Sequence, residues 1–290
     1  MSAVEAAVPA ISAPRRPAGR SARLLRSELG MVFRRRRNQV ILAVLAAVPV
    51  LIAVAVRVAA PPDDPADGPP FLYGIAGNGV FVALTALTVV LPLFLPLAVA
   101  VVAGDSVAGE ASLGTLRYLL VVPVSRTRML LVKYAGAAAY CLVAALTVGV
   151  VGAGIGALLF PIGPVTLLSG TQVPLGSGLW RVALVALYVA AMMAGLAAIG
   201  LFVSTLTESP IAAMATTAVL AVTSQVLDSV PQLDWLHPWL FSHYWLSFGD
   251  FLRDPITVDG PVRGLLVTAA YGLVFGSLAW SRMTTKDVSS

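Results

Sequence analysis

The sequence predicts an all-α, polytopic membrane protein with six transmembrane helices, an N-terminal interfacial helix and a further short helix on the cytoplasmic side. Three observations predict it. Of the 290 residues, 58% are hydrophobic and only 11% charged, against roughly 45–50% apolar in soluble chains. Mean hydropathy is +0.90, more apolar surface than one soluble core of this size hides, so lipid is part of the solvent. The apolar residues also fall into six runs of the length that a bilayer core of about 30 Å demands at about 1.5 Å per helical residue.

Met1–Arg20 is basic and reads as a disordered tail. From Ser21 to Arg37, Leu25, Leu29, Val32 and Phe33 recur at helical spacing amid cations, the pattern of an amphipathic helix lying on an anionic leaflet. Arg34, Arg35, Arg36 and Arg37 read as topology determinants with anionic lipid head groups as partners. The six-span region 38–283 follows, with spans expected at Gln39–Val58, Val80–Ala103, Met129–Phe160, Trp180–Val203, Ile211–Leu227 and Val262–Trp280. The third is over-long, so tilted or extended beyond the core. Pro92 and Pro96 should kink the second. Of the connections, Ala59–Gly79 and Pro161–Gly178 are rich in Pro and Gly, Ser204–Pro210 is a tight turn, and 228–261 is long and aromatic; 284–290 forms a cytoplasmic tail.

Charge sets the direction. Fifteen of the 19 Lys and Arg residues lie in the N-terminal tail, in 104–133 and in the C-terminal tail, whereas the first opposite loop carries Asp63, Asp64 and Asp67 and no cation. The positive-inside rule then places both termini in the cytoplasm; the membrane expected is the plasma membrane. A cleaved signal peptide fits poorly, because the first apolar run is about 20 residues long and follows a long basic tail. Nine of the cations precede Asn38, beside that run, which points to a membrane surface and not to nucleic acid. Cys141, the single cysteine, sits in an apolar run, excluding an intramolecular disulfide framework and thiolate metal clusters.

Chemistry-bearing motifs are sparse. There is no Gly-x-x-x-x-Gly-Lys-[Ser/Thr] phosphate loop, no His-Glu-x-x-His and no Gly-x-Ser-x-Gly, so neither a P-loop ATPase nor an intramembrane hydrolase is expected. His237 and His243, six residues apart around Pro238, are a weak metal signal; an aromatic belt with Trp235, Trp239, Tyr244 and Trp245 explains them better. Thr216, Thr217, Thr223, Ser224 and Gln225 make the fifth span more polar than its neighbours, marking it as a candidate for facing a transport pathway. Hydroxyls bonded back to their own helix are the equal alternative. Gly152-x-x-x-Gly156, Gly272-x-x-x-Gly276 and Ala186, Ala190, Ala194 and Ala198 are candidate packing seams.

Within 104–128, Leu113, Leu116 and Leu120 share one helical face, with Glu110, Gly114 and Arg117 on another. Pro123 breaks the run and Ser125 can cap the next helix. A solvated reentry loop fits these residues equally well.

Asp105, Glu110, Gly114, Thr115, Leu116, Arg117, Leu120, Pro123, Ser125, Arg126 and Lys133, at these spacings, resemble the segment between the second and third spans of class-two ATP-binding-cassette (ABC) permeases, nearest the multicopper-enzyme-maturation-permease branch. The basic helix before the first span, the six spans and the aromatic excursion carry the resemblance along nearly the whole chain. It implies a coupling helix at which Glu110, Gly114 and Arg117 contact a separate nucleotide-binding ATPase subunit. It further implies a second permease copy or a similar permease, and an aromatic external lid. No cofactor is then expected in this chain, ATP and magnesium belonging to the partner subunit. The function expected is export of an amphipathic or hydrophobic cargo without a catalytic or metal site of its own; a motor-independent secondary transporter or a membrane assembly factor is the alternative.

Overall fold

Each expected span is helical in the computed structural model, which describes residues 19–59, 70–114 and 125–285. The order is α1 (Gly19–Arg34), α2 (Arg36–Ala59), α3 (Pro70–Gly77), α4 (Val80–Val90), α5 (Phe94–Ser112), α6 (Arg126–Leu159), α7 (Leu175–Leu206), α8 (Pro210–Asp228) and α9 (Asp259–Thr285). A two-stranded ribbon, Val165–Thr166 against Gln172–Val173, joins α6 to α7, and short 3-10 turns join α8 to α9. Helices α2, α5, α6, α7, α8 and α9 are each long and apolar enough to cross a membrane. The protein is an all-α, multi-pass membrane protein. Most of the tail expected over 1–20 lies outside the described residues; its last two residues, Gly19 and Arg20, already belong to α1.

Helix limits depart from the hydropathy ruler for local reasons. Helix α7 starts at Leu175 where the apolar run suggested Trp180, and α9 extends from Asp259 to Thr285 around the expected Val262–Trp280; hydropathy measures the apolar stretch, while polar turns continue the helix beyond it. The Pro/Gly-rich stretch expected as a loop over Ala59–Gly79 contains α3, opened by Pro70 at the first helical position, where its missing N–H costs nothing. Helix α8 begins with Pro210 behind Ser209, whose hydroxyl accepts from the Ala212 amide.

The second span is two helices instead of one kinked helix. Helix α4 stops at Val90, Leu91–Leu93 form a turn, and α5 starts at Phe94. The carbonyl of Pro92 would ordinarily receive the amide four residues on, but that residue is Pro96, which has no N–H. Gln225 of α8 supplies the missing donor, its Nε2 reaching the Pro92 oxygen at 2.8 Å.

Helices α5 and α7 form the centre, with 72% of the most apolar window of each buried, whereas α9, at 11%, lies on the periphery. Helices α4 and α6 meet at a glycine seam: a Cβ at Gly152 would come within 2.6 Å of the Ala83 Cα, and one at Gly156 would collide with the Gly79 backbone. Gly272 and Gly276 face open space within the chain. Ser204 of α7 enters the backbone ladder of α5, accepting from the amides of Val107 and Ala108 and donating to the Gly104 carbonyl at 2.7 Å.

Candidate functional site

The charged residues of the bundle gather where α1, α2, α5 and α6 meet, at the end that carries most of the cations. Its construction begins at the break between α1 and α2. The last carbonyls of α1 lack intrahelical partners, and two amide side chains from the next helix supply them: Asn38 Nδ2 donates to the Val32 oxygen at 2.8 Å and Gln39 Nε2 to the Phe33 oxygen at 3.0 Å. The Tyr140 hydroxyl of α6 donates in turn to the Asn38 carbonyl. The corner thus fixed points Arg35 and Arg37 toward α5, where both pair with Asp105, Arg37 at 2.9 Å. Asp105 folds over Gly109, where any Cβ would meet its Oδ1 at 2.5 Å.

Beside this pair lies a second one. Lys133, in the third turn of α6, is 3% exposed and places Nζ 2.6 Å from Glu110 Oε1 at the end of α5 and 3.7 Å from Glu28 Oε1 on α1. Close packing at Gly136, where a Cβ would stand 3.1 Å from Glu28 Cγ, seats α1 on α6. The six groups balance in formal charge, and together they line a cavity of about 20 Å³, room for about one water. Burial holds the Glu28 carboxyl above its ordinary range; Lys133 opposes that shift, Glu110 reinforces it and Arg35 opposes it.

The expected site residues distribute unevenly. Glu110 does not open a separate short helix: it lies in the last turn of α5, which ends at Ser112, and Gly114 adopts φ +68° just beyond, the left-handed position that closes many helices. Arg117, with all of 115–124, lies outside the described residues. All four of Arg34, Arg35, Arg36 and Arg37 are exposed, but Arg35 and Arg37 also hold Asp105, a protein partner where lipid alone was expected. Likewise Val32 and Phe33, on the apolar stripe of α1, pack against the core of the bundle.

The polar residues of α8 do not share a face. Thr216 and Thr223 are exposed; Thr217 is buried and donates back to the Ala213 carbonyl, Ser224 bonds the Ser242 hydroxyl at 2.6 Å, and Gln225 is committed to Pro92. Among the belt residues, Trp235 and Trp239 are each 72% exposed, but Trp245 is 3% exposed and belongs to the core; one face of the segment must pack for an irregular chain to be held in place.

Glu28, Asn38 and Tyr140 were not singled out by sequence. The available signal was Lys133, a lysine inside an apolar run, which in a membrane requires a partner.

A family model described as "Protein of unknown function (DUF2705)" matches residues 40–289. The chain belongs to this family. The match spans α2 through α9 and so includes Asp105, Glu110 and Lys133, whereas Glu28, Arg35 and Arg37 precede it. No curated protein matches the chain.

Proposed function

We propose that this protein is the membrane-spanning permease subunit of an ATP-binding-cassette exporter, moving an amphipathic or hydrophobic cargo with ATP hydrolysed by a separate subunit. The observation that carries the reading is the ion-paired junction. The sequence resemblance puts contact with a motor subunit at Glu110, Gly114 and Arg117, a stretch that starts in the last turn of α5 and leads to the start of α6. Glu110 is tied through Lys133 to α6 and α1, and Asp105 ties α5 to α2. A displacement applied between α5 and α6 is therefore shared by four helices, and the pairs around buried Lys133 transmit it with little slack. A second permease copy completes the assembly, with the exposed stripe Thr216, Val219, Thr223 and Val226 of α8 as the contact. In this reading both termini are cytoplasmic, in the plasma membrane, and ATP and magnesium stay with the partner.

The test is co-purification of the full chain with a nucleotide-binding ATPase from its own cells, followed by reconstitution. Arg117→Ala should leave insertion and melting temperature unchanged and weaken the motor contact by about 2–5 kcal/mol, as truncation of an interfacial charge partner does. Loss of cargo-stimulated ATP hydrolysis is the expected result. Unchanged stimulation would remove segment 115–124 from the contact, and transport that runs on an ion gradient without any ATPase would remove the reading itself. A motor-independent transporter has one observation in its favour, the buried Lys133 with its two carboxylates, since ion-driven carriers use such groups.

A further inference from the structure

At the opposite end of the bundle two imidazoles and a carboxylate converge. Asp228 ends α8, and the 3-10 turn His237–Trp239 and the turns after it bring His237 and His243 back over it. One donor atom from each of the three lies within 4.8 Å of the donors of the other two. The rings sit 5.9 Å apart at 31°. Each residue is already oriented: His243 Nδ1 lies 2.6 Å from Asp228 Oδ1, while His237 has Nε2 3.1 Å from the Val230 carbonyl and Nδ1 3.3 Å from Asp234 Oδ1. All three are half-buried, sheltered yet open to an ion.

From this geometry we infer that Asp228, His237 and His243 form a binding site for a divalent transition-metal ion of the Zn²⁺ class. Two imidazoles and a carboxylate are borderline donors that suit Zn²⁺ and bind Mg²⁺ or Ca²⁺ poorly. Ligand bonds of about 2.0–2.2 Å draw the donors closer than they stand here, a change that side-chain rotation supplies, and leave a fourth position for water. Asp234, on Nδ1 of His237, plays the outer part that orients a ligating ring, and Nε2 exchanges its Val230 contact for the ion. Because Asp228 belongs to α8 and both histidines to the aromatic segment, the ion staples that segment to the helix end, adding to the Ser224–Ser242 bond. The site is independent of the transport reading.

The experiment uses the full chain, purified in detergent, stripped with chelator and titrated with ZnCl₂. One ion per chain should bind and raise the melting temperature. His237→Ala and Asp228→Asn should each weaken binding by more than about tenfold, the scale of loss known even for outer-shell partners, and lose the rise in melting temperature that ZnCl₂ gives the parent chain. His243→Cys keeps a ligand in place and should shift preference from Zn²⁺ to the softer Cd²⁺, a readout that does not depend on the other variants folding. Zn²⁺ binding that persists undiminished in the His237→Ala/His243→Ala double variant, or no saturable binding by the parent chain, would overturn the assignment.

Discussion

The two ends of the bundle solve opposite problems with polar groups. At the basic end the charged side chains that pair stand on or beside helices and span between them: Arg37 to Asp105, Lys133 to Glu110 and Glu28. At the aromatic end the chain between α8 and α9 is irregular, and side chains from the helices are spent on its backbone. Tyr188 donates to the Tyr244 carbonyl at 2.6 Å, Tyr271 to Trp239 at 2.9 Å, and Arg181 to Phe251 and Arg253. Irregular backbone at membrane depth persists only where each such carbonyl finds a donor. One end is thus built to couple helices and the other to hold a segment in place, and removing a polar group should have different consequences at each.

The largest effect is expected at Lys133. Lys133→Met removes the cation between Glu28 and Glu110 and leaves two carboxylates facing each other in a buried site, at a cost of about 3–5 kcal/mol. Thermal unfolding in detergent should show that loss. Adding Glu28→Gln and Glu110→Gln to the same chain should recover most of it, because the loss comes from uncompensated charge and not from lost packing. A triple variant as unstable as Lys133→Met alone would mean that the lysine stem, and not its charge, holds the junction.

A smaller effect is expected at the aromatic end. Tyr188→Phe deletes one hydroxyl and strands the Tyr244 carbonyl, for about 1–3 kcal/mol. Because that bond fastens a segment and not a pair of spans, the loss should appear as faster hydrogen exchange across 240–252 with little change in global melting. Equal losses in both measurements would erase the distinction between the ends.

Sequence made the framework legible because its signal is long and periodic: the spans and amphipathic α1 were present as patterns in the apolar residues, and the prolines of the second span marked the place of a kink that the structure carries further, to a break. What it could not supply was pairing across distance. Nothing local in the chain tells Lys133 that its partners are Glu28 and Glu110, or Gln225 that it fills the bond Pro96 cannot make, because that bond depends on two helices meeting. Trp245 shows the same limit: its neighbours Trp235 and Trp239 have similar flanks, and only tertiary packing separates the buried ring from the exposed ones.

The smallest effect is also the one that tests the electrostatics of the coupling end most directly. Burial raises the Glu28 carboxyl above its ordinary value of 4.5, so the folded protein holds that proton more tightly than the unfolded chain. Stability from this group is then fully present below the ordinary value and is lost as pH rises through the raised one. Glu28→Gln carries no such proton. Relative to the parent, the variant should therefore be most favoured at neutral pH, with the difference in melting temperature shrinking as the solution is acidified toward the ordinary carboxylate range. Asp105, Arg35 and Arg37 are common to both proteins, and their own response to acid cancels in the comparison to the extent that they do not couple to Glu28. A difference that grows on acidification would mean that attraction to Lys133 outweighs burial, and that Glu28 belongs to the coupling end as a firm ion-pair partner.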